Sequence, residues 1–192
     1  MNLSFAIKRA FDLFFVILFI ATLFWLIFII SLFVKITSYG PILYWSDRVG
    51  KNNIIFKMPK FRTMHLGAPE VATHLIKNPS RHLTIVGSFL RKTSLDEIPQ
   101  LWSILLGDMS FVGPRPALFN QYDLIKLRTS KGIHHLKPGL TGWAQVNGRD
   151  DLSIAQKVNF DAEYLKKKSF IFDLKILYLT FLKIIRSEGI QH

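Results

Sequence analysis

The sequence predicts an α+β protein: a membrane-inserted N-terminal helix, re-entrant or spanning, followed by a mainly helical domain with a small β-sheet. Three observations predict it. Residues 13–34, LFFVILFIATLFWLIFIISLFV, carry no charge. Residues 39–64 hold short apolar and alternating stretches around a turn signal. Further on, apolar residues recur at helical spacing, as far as the C-terminal FDLKILYLTFLKIIRS. The expected boundaries are 1–36 for the inserted helix and 37–192 for the second domain.

The first element follows from length and polarity. A helix of about 22 residues rises roughly 33 Å, which matches the hydrocarbon core of a bilayer. A cleaved signal peptide fits less well, because the run is too long and no small-x-small site follows it. The flanks leave the topology open. Lys8 and Arg9 precede the run, and Lys35, Arg48 and Lys51 follow it. Basic residues belong on the cytoplasmic side, so two basic ends favour a hairpin that dips in and returns. A hairpin needs a break, and no Pro or Gly lies between Leu13 and Val34; only Thr22 and Ser31 are polar. That favours spanning.

In the second domain, GPILYW reads as a strand, VGKNN as a turn and IIFKMPKFRTM as a second strand. Pro59 makes that second strand an edge or ends it. Residues 65–83 read as a surface loop with one short helix, and 84–106 as two helices around SLDE. GDMSFVGPRP reads as a turn-rich loop and 117–131 as a helix. GLTGWAQVNGRD reads as a hairpin-like loop turning at Asn147-Gly148, and 153–168 as a helix. The last helix is either a core helix or one lying on a bilayer with Lys175, Lys183 and Arg186 toward head groups.

Composition narrows the chemistry. The chain has 192 residues and no Cys, which excludes disulfides, thiolate metal sites and Cys nucleophiles. Lys and Arg total 25 against 13 acidic residues, with a pI near 10.0 and a mean hydropathy of +0.26. Such a charge balance attracts phosphates, whether of nucleic acid, lipid head groups or nucleotides. No aromatic-basic interleaving of the RNA-binding kind appears, so nucleic acid is not an expected partner. The adjacent His134 and His135 lack a second pair at ligand spacing, and no P-loop, G-x-G-x-x-G or G-x-S-x-G is present.

Against this basic background, SLDEIPQLW (94–102) places two carboxylates side by side. Ser94 and Glu97 fit a capping box. Pro99 disturbs a helix begun at Ser94, so the helix is either kinked or begins later, with Pro99 near its first position. Both versions leave Asp96 and Glu97 at an electropositive helix entrance, where the macrodipole favours an ionised Asp. Basic residues surround the pair in sequence: Lys60 and Arg62 in KFRTM, Arg91 and Lys92 just before it, Arg115 between the prolines of GPRP, and Arg149 after Asn147-Gly148. Such residues can hold a diphosphate beside a carboxylate.

In this order, KRAFD, RVGKNNIIFKMPKFRTM, LRKTSLDEIPQLWSILLGDMSFVGPRP, KPGLTGWAQVNGRD and FDLKIL resemble the bacterial sugar transferases, the monotopic polyprenyl-phosphate phosphoglycosyl transferases of the minimal single-domain type. The resemblance covers nearly the whole chain. It implies transfer of a sugar 1-phosphate from a UDP-sugar to polyprenol (undecaprenyl) phosphate, with release of UMP, at the start of membrane glycan assembly. It makes Asp96 the nucleophile that carries the phosphosugar covalently, and Glu97 a partner in proton handling or Mg²⁺ binding. A magnesium ion held by Asp96 and Glu97 is implied. So are phosphate clamps at Arg62, Arg91, Arg115 and Arg149, supporting roles for Lys60 and Asp173, and a motif of Arg9 and Asp12 at the start of the inserted helix. The family's helix is re-entrant and broken by a Ser-Pro pair; that position falls near Phe24-Trp25 here. The implied location is the bacterial inner membrane, with the domain facing the cytoplasm and downstream glycosyltransferases as candidate partners. The rival readings are a basic membrane-anchored adaptor without catalysis and a degenerate transferase that binds nucleotide sugar without turnover.

Overall fold

A computed structural model describes residues 3–69, 79–148 and 151–186. Helix α1 (Leu3–Thr37) is one unbroken α-helix of 35 residues. At 1.5 Å per residue it is about 52 Å long, well beyond the ~30 Å of a hydrocarbon core. The break that a re-entrant hairpin requires is absent from its backbone. Thr22 and Ser31 donate back to the carbonyls of Leu18 and Ile27 within the helix and do not mark a kink.

Helix α1 rests on the rest of the chain near both its ends. Val16 packs with Leu101, Ile104, Met109 and Phe111 in one core cluster, while Ile30 and Val34 pack with Phe61 and Leu90 in another. The opposite face, with Phe14, Trp25, Phe28 and Ile36, is exposed. Lys8 and Arg9, read in the sequence as topology signals, are tied into the protein. Lys8 donates to the Val112 carbonyl and pairs with Asp173, and Arg9 donates to the carbonyls of Ile104 and Leu105 at 2.6 and 2.8 Å. These side chains hold the helix to the domain.

Strands β1 (Leu43–Val49) and β2 (Ile55–Phe61) form the expected antiparallel pair around a short turn at 51–53. Asn52 and Asn53 take positive φ in that turn, a conformation asparagine tolerates better than most residues. Strand β2 is an edge of its sheet, with β1 in the middle, as Pro59 predicts. Helices α2 (Ile85–Thr93) and α3 (Leu101–Leu106) flank a 3-10 turn at Leu95–Gln100. Within the loop expected over 65–83, residues 70–78 lie outside the described residues.

Two expectations need correction. GDMSFVGPRP contains strand β3 (Ser110–Val112), and GLTGWAQVNGRD is not a hairpin. Its first residues form β5 (Gly139–Thr141), parallel to β3, and the next form a short helix α5 (Trp143–Val146). The two strands come together because glycines let their backbones touch. A Cβ at Gly139 would overlap Gly113 N, and one at Gly142 would overlap Gly113 O. Gly139→Ala is therefore expected to lower stability by at least about 2 kcal/mol. Thermal denaturation checks it, and a melting temperature equal to wild type would refute the close approach.

The remaining chain is β4 (Ala117–Leu118), paired with β1, then α4 (Tyr122–Ser130), α6 (Ile154–Lys167) and α7 (Phe170–Arg186). Ser153 and Gln156 form a complete capping box at the start of α6. Helix α7 packs one side into the core and leaves apolar residues exposed on another. Ile176 is fully buried in the first core cluster, while Ile171, Leu174, Tyr178, Phe181 and Ile184 form an exposed stripe three to four residues apart.

Candidate active site

The acidic pair sits in the 3-10 turn between α2 and α3. Ser94 ends α2 in the left-handed region (φ 58) and its side chain caps nothing, so the expected capping box does not form. The chain cannot enter a regular helix from that conformation. It makes a 3-10 turn instead, and Pro99 lies inside this turn just ahead of α3. The Glu97 carboxylate is thereby turned away from its own backbone. It accepts from Lys60 Nζ at 2.8 Å and from Arg115 Nη2 at 3.2 Å. Lys60 also stands 3.7 Å from Asp96 Oδ2.

Asp96 is 7% exposed. Burial pushes its carboxyl above the usual range, and the neighbouring Glu97 pushes in the same direction; Lys60, Arg91 and Arg115 pull back without winning. Desolvation, not a helix dipole, therefore dominates at this carboxyl. The turn is 3-10, and α3 has only six residues.

Arg91, at the end of α2, interacts electrostatically with Asp96 and donates its Nε to Thr63 Oγ1 at 3.0 Å. Burial lowers its pKa. Arg48 also belongs to the site, although its sequence position suggested only a flank. Alternation along β1 puts Tyr44, Ser46 and Arg48 on one face. Arg48 donates to Ser46 Oγ and to the Pro116 carbonyl, and feels both Arg115 and Glu97. Burial and the adjacent Arg115 push it down to about 10, so it remains a cation at neutral pH. Four cations (Lys60, Arg91, Arg115 and Arg48) thus stand around two carboxylates, an excess of two positive charges in a partly desolvated place. That arrangement suits a multiply charged anion.

Other expected residues lie elsewhere. Arg62 is 4% exposed and donates to the carbonyls of Tyr39 and Ser38 and to Ser38 Oγ, at 2.7 to 2.8 Å. It holds the end of α1 rather than facing the acidic pair. Arg62→Lys, with one compact donor group in place of a fork, should lower the melting temperature but leave pyrophosphate affinity unchanged. A selective loss of that affinity would return Arg62 to the site. Asp12 accepts from the Phe111 N–H, and Arg9 closes the end of α3. Asp173 pairs with Lys8 and accepts from Tyr164 Oη at 2.7 Å, which ties α7 to α1 and α6. Arg9, Asp12 and Asp173 are therefore fastenings of the inserted helix. Arg149 lies outside the described residues.

The implied magnesium would find few protein ligands here. Among the described residues no group of three or more acidic or histidine side chains converges. Asp96 and Glu97 supply carboxylate oxygens only, which fits an ion that keeps several waters and takes substrate phosphate oxygens, not a caged one.

Comparison with known proteins places the chain in a family. The family model "Bacterial sugar transferase" matches residues 3–187. The chain is 40% identical to a sugar transferase of Bacillus subtilis, over 96% of this chain and 90% of that protein. It is 43% identical to the UDP-glucose:undecaprenyl-phosphate glucose-1-phosphate transferase of Escherichia coli, over 80% of this chain and 35% of that protein. To the undecaprenyl-phosphate galactose phosphotransferase of Salmonella typhimurium it is 36% identical, over 83% and 37% respectively. The chain thus spans nearly all of the first relative and about a third of the other two. With a family match that runs from the membrane helix through the acidic pair to the last helix, the chain belongs to the bacterial sugar transferases.

Proposed function

We propose that this chain transfers a sugar 1-phosphate from a UDP-sugar to polyprenol phosphate, giving polyprenol diphosphate sugar and UMP. The observation that carries the reading is the Asp96–Glu97 pair, Asp96 buried and Glu97 half-buried, inside a group of four cations. In the first step an Asp96 carboxylate oxygen attacks the sugar-linked phosphorus. The bond to the bridging oxygen breaks, UMP leaves with the electron pair, and an acyl phosphate bearing the sugar remains on Asp96. In the second step a phosphate oxygen of polyprenol phosphate attacks the same phosphorus and the Asp96 carboxylate leaves. Using a carboxylate twice divides one displacement into two.

Each side chain has a part in this scheme. Arg91 and Lys60 offset the repulsion between the Asp96 anion and the diphosphate. Arg115 and Arg48 bind phosphate oxygens and the charge that develops on UMP. Glu97 holds Lys60 and Arg115 in place. Asp96 and Glu97 would hold Mg²⁺, which when bound neutralises diphosphate charge. The exposed apolar face of α1 and the stripe on α7 attach the domain to a membrane, where a lipid-linked acceptor is found. In this reading the membrane is the bacterial inner membrane and the domain faces the cytoplasm.

The test is UMP release from a panel of UDP-sugars by the full chain in detergent, with Mg²⁺ and undecaprenyl phosphate. Turnover on at least one sugar is expected. Folded protein that releases no UMP from any of them would sink the proposal.

A further inference from the structure

Arg115 stands in Pro114-Arg115-Pro116, where the prolines remove two backbone donors. The segment is held by its carbonyls instead. Pro114 O accepts from Gly139 N at 2.9 Å, Arg115 O from Arg128 Nη1 at 2.8 Å, and Pro116 O from Arg48 Nη1 at 3.1 Å. Three consecutive carbonyls are thus fixed from β5, α4 and β1.

The middle contact has a support of its own. Arg128, on α4, donates Nε to Asp161 Oδ2 at 2.9 Å, and its Nη2 stands 2.7 Å from the same oxygen. Asp161, on α6, is 1% exposed. A buried carboxylate that faces one guanidinium leaves that guanidinium little freedom, and the planar fork then aims its remaining edge at Arg115. The result is a relay from α6 through α4 to Arg115, which bonds Glu97.

We infer that Arg128, fixed by Asp161, is a positioning residue that sets the Arg115 guanidinium for binding the diphosphate of the substrate. The inference rests on the proposed transferase reading for its substrate, and on the three-carbonyl geometry for its mechanism. Neither Arg128 nor Asp161 contacts the Asp96–Glu97 pair, so their influence passes through Arg115.

A binding cycle tests it without requiring turnover. Pyrophosphate affinity is measured by calorimetry on the full chain in detergent, without divalent cations, for wild type, Arg128→Lys, Arg115→Ala and the double variant. Lysine keeps the charge but cannot bridge Asp161 and the Arg115 carbonyl as a fork does. Arg128→Lys should weaken binding about 5- to 10-fold beside Arg115, and less than about 2-fold once Arg115 is alanine. In turnover it should raise KM for the UDP-sugar, whereas a merely structural lesion lowers kcat through the active fraction. Equal weakening in both backgrounds, no weakening in a folded Arg128→Lys, or a wild type that does not bind pyrophosphate would each overturn the inference. If Arg128→Lys does not fold, Asp161→Asn replaces it in the same cycle. A cycle that behaves as expected in a protein that releases no UMP would refute the transferase reading and leave the positioning role standing.

Discussion

Asp96→Asn is expected to reduce UMP release by at least about 10³-fold and, at the same time, to raise the melting temperature. The first effect follows from the proposed role, because a carboxamide cannot form the acyl phosphate. The second follows from burial. The Asp96 carboxyl is raised in the folded protein, chiefly by desolvation, while an unfolded Asp ionises near its ordinary value of about 3.9. A raised carboxyl contributes stability below the unfolded pKa, and that contribution is lost as pH rises through the folded pKa. As pH rises above the unfolded pKa the folded protein therefore bears a growing cost for this carboxyl, which Lys60, Arg91 and Arg115 only partly offset. Asparagine has no charge to desolvate. In EDTA, the excess of the Asp96→Asn melting temperature over wild type should grow from acid to neutral pH. A variant that melts below wild type at neutral pH would show that the cations outweigh burial. Retained UMP release would remove Asp96 from the chemistry.

The order of helices and strands was largely legible in the sequence, because the apolar run, the Pro59 edge and the helical periodicity are local signals. The parallel β3–β5 pair was not. Each strand has three residues, too few for a pattern, and what joins them is glycine clearance between segments far apart in the chain. The acidic pair, Lys60 and Arg115 were also legible, as residues that meet in the folded protein. Arg62 was implied as a clamp by the resemblance and stands beside Lys60 in KFRTM. Strand β2 ends at Phe61, however, and the Arg62 N–H already bonds the Ile42 carbonyl beside the end of α1. Arg48 misled in the other direction: near a membrane segment a cation resembles a topology signal, and only its place on β1 brings it to Arg115. Lys8 and Arg9 carried the same ambiguity, which ended when their partners proved to be internal.

Glu97→Gln should also disable transfer, by about 10²-fold or more, but with the opposite sign in stability. Glu97 is the hub of the cluster. Its Oε1 faces Lys60 at 2.8 Å and Arg115 at 3.2 Å, whereas Asp96 has one cation at 3.7 Å. A neutral glutamine leaves those cations facing one another around a single carboxylate. Removing one partner of a fully buried pair costs 3–5 kcal/mol; the partial exposure of Arg115 reduces that here to about 1–3 kcal/mol. Glu97→Gln should therefore melt below wild type while Asp96→Asn melts above it, although the two residues are neighbours in one turn. Pyrophosphate adds a further discrimination. An anion that enters the cluster takes over the missing charge, so it should raise the melting temperature of Glu97→Gln more than that of wild type. If Glu97→Gln melts at or above wild type, the carboxylate is not what holds Lys60 and Arg115. If pyrophosphate stabilises both proteins equally, the anion binds away from this cluster, and the two-step scheme loses its binding site.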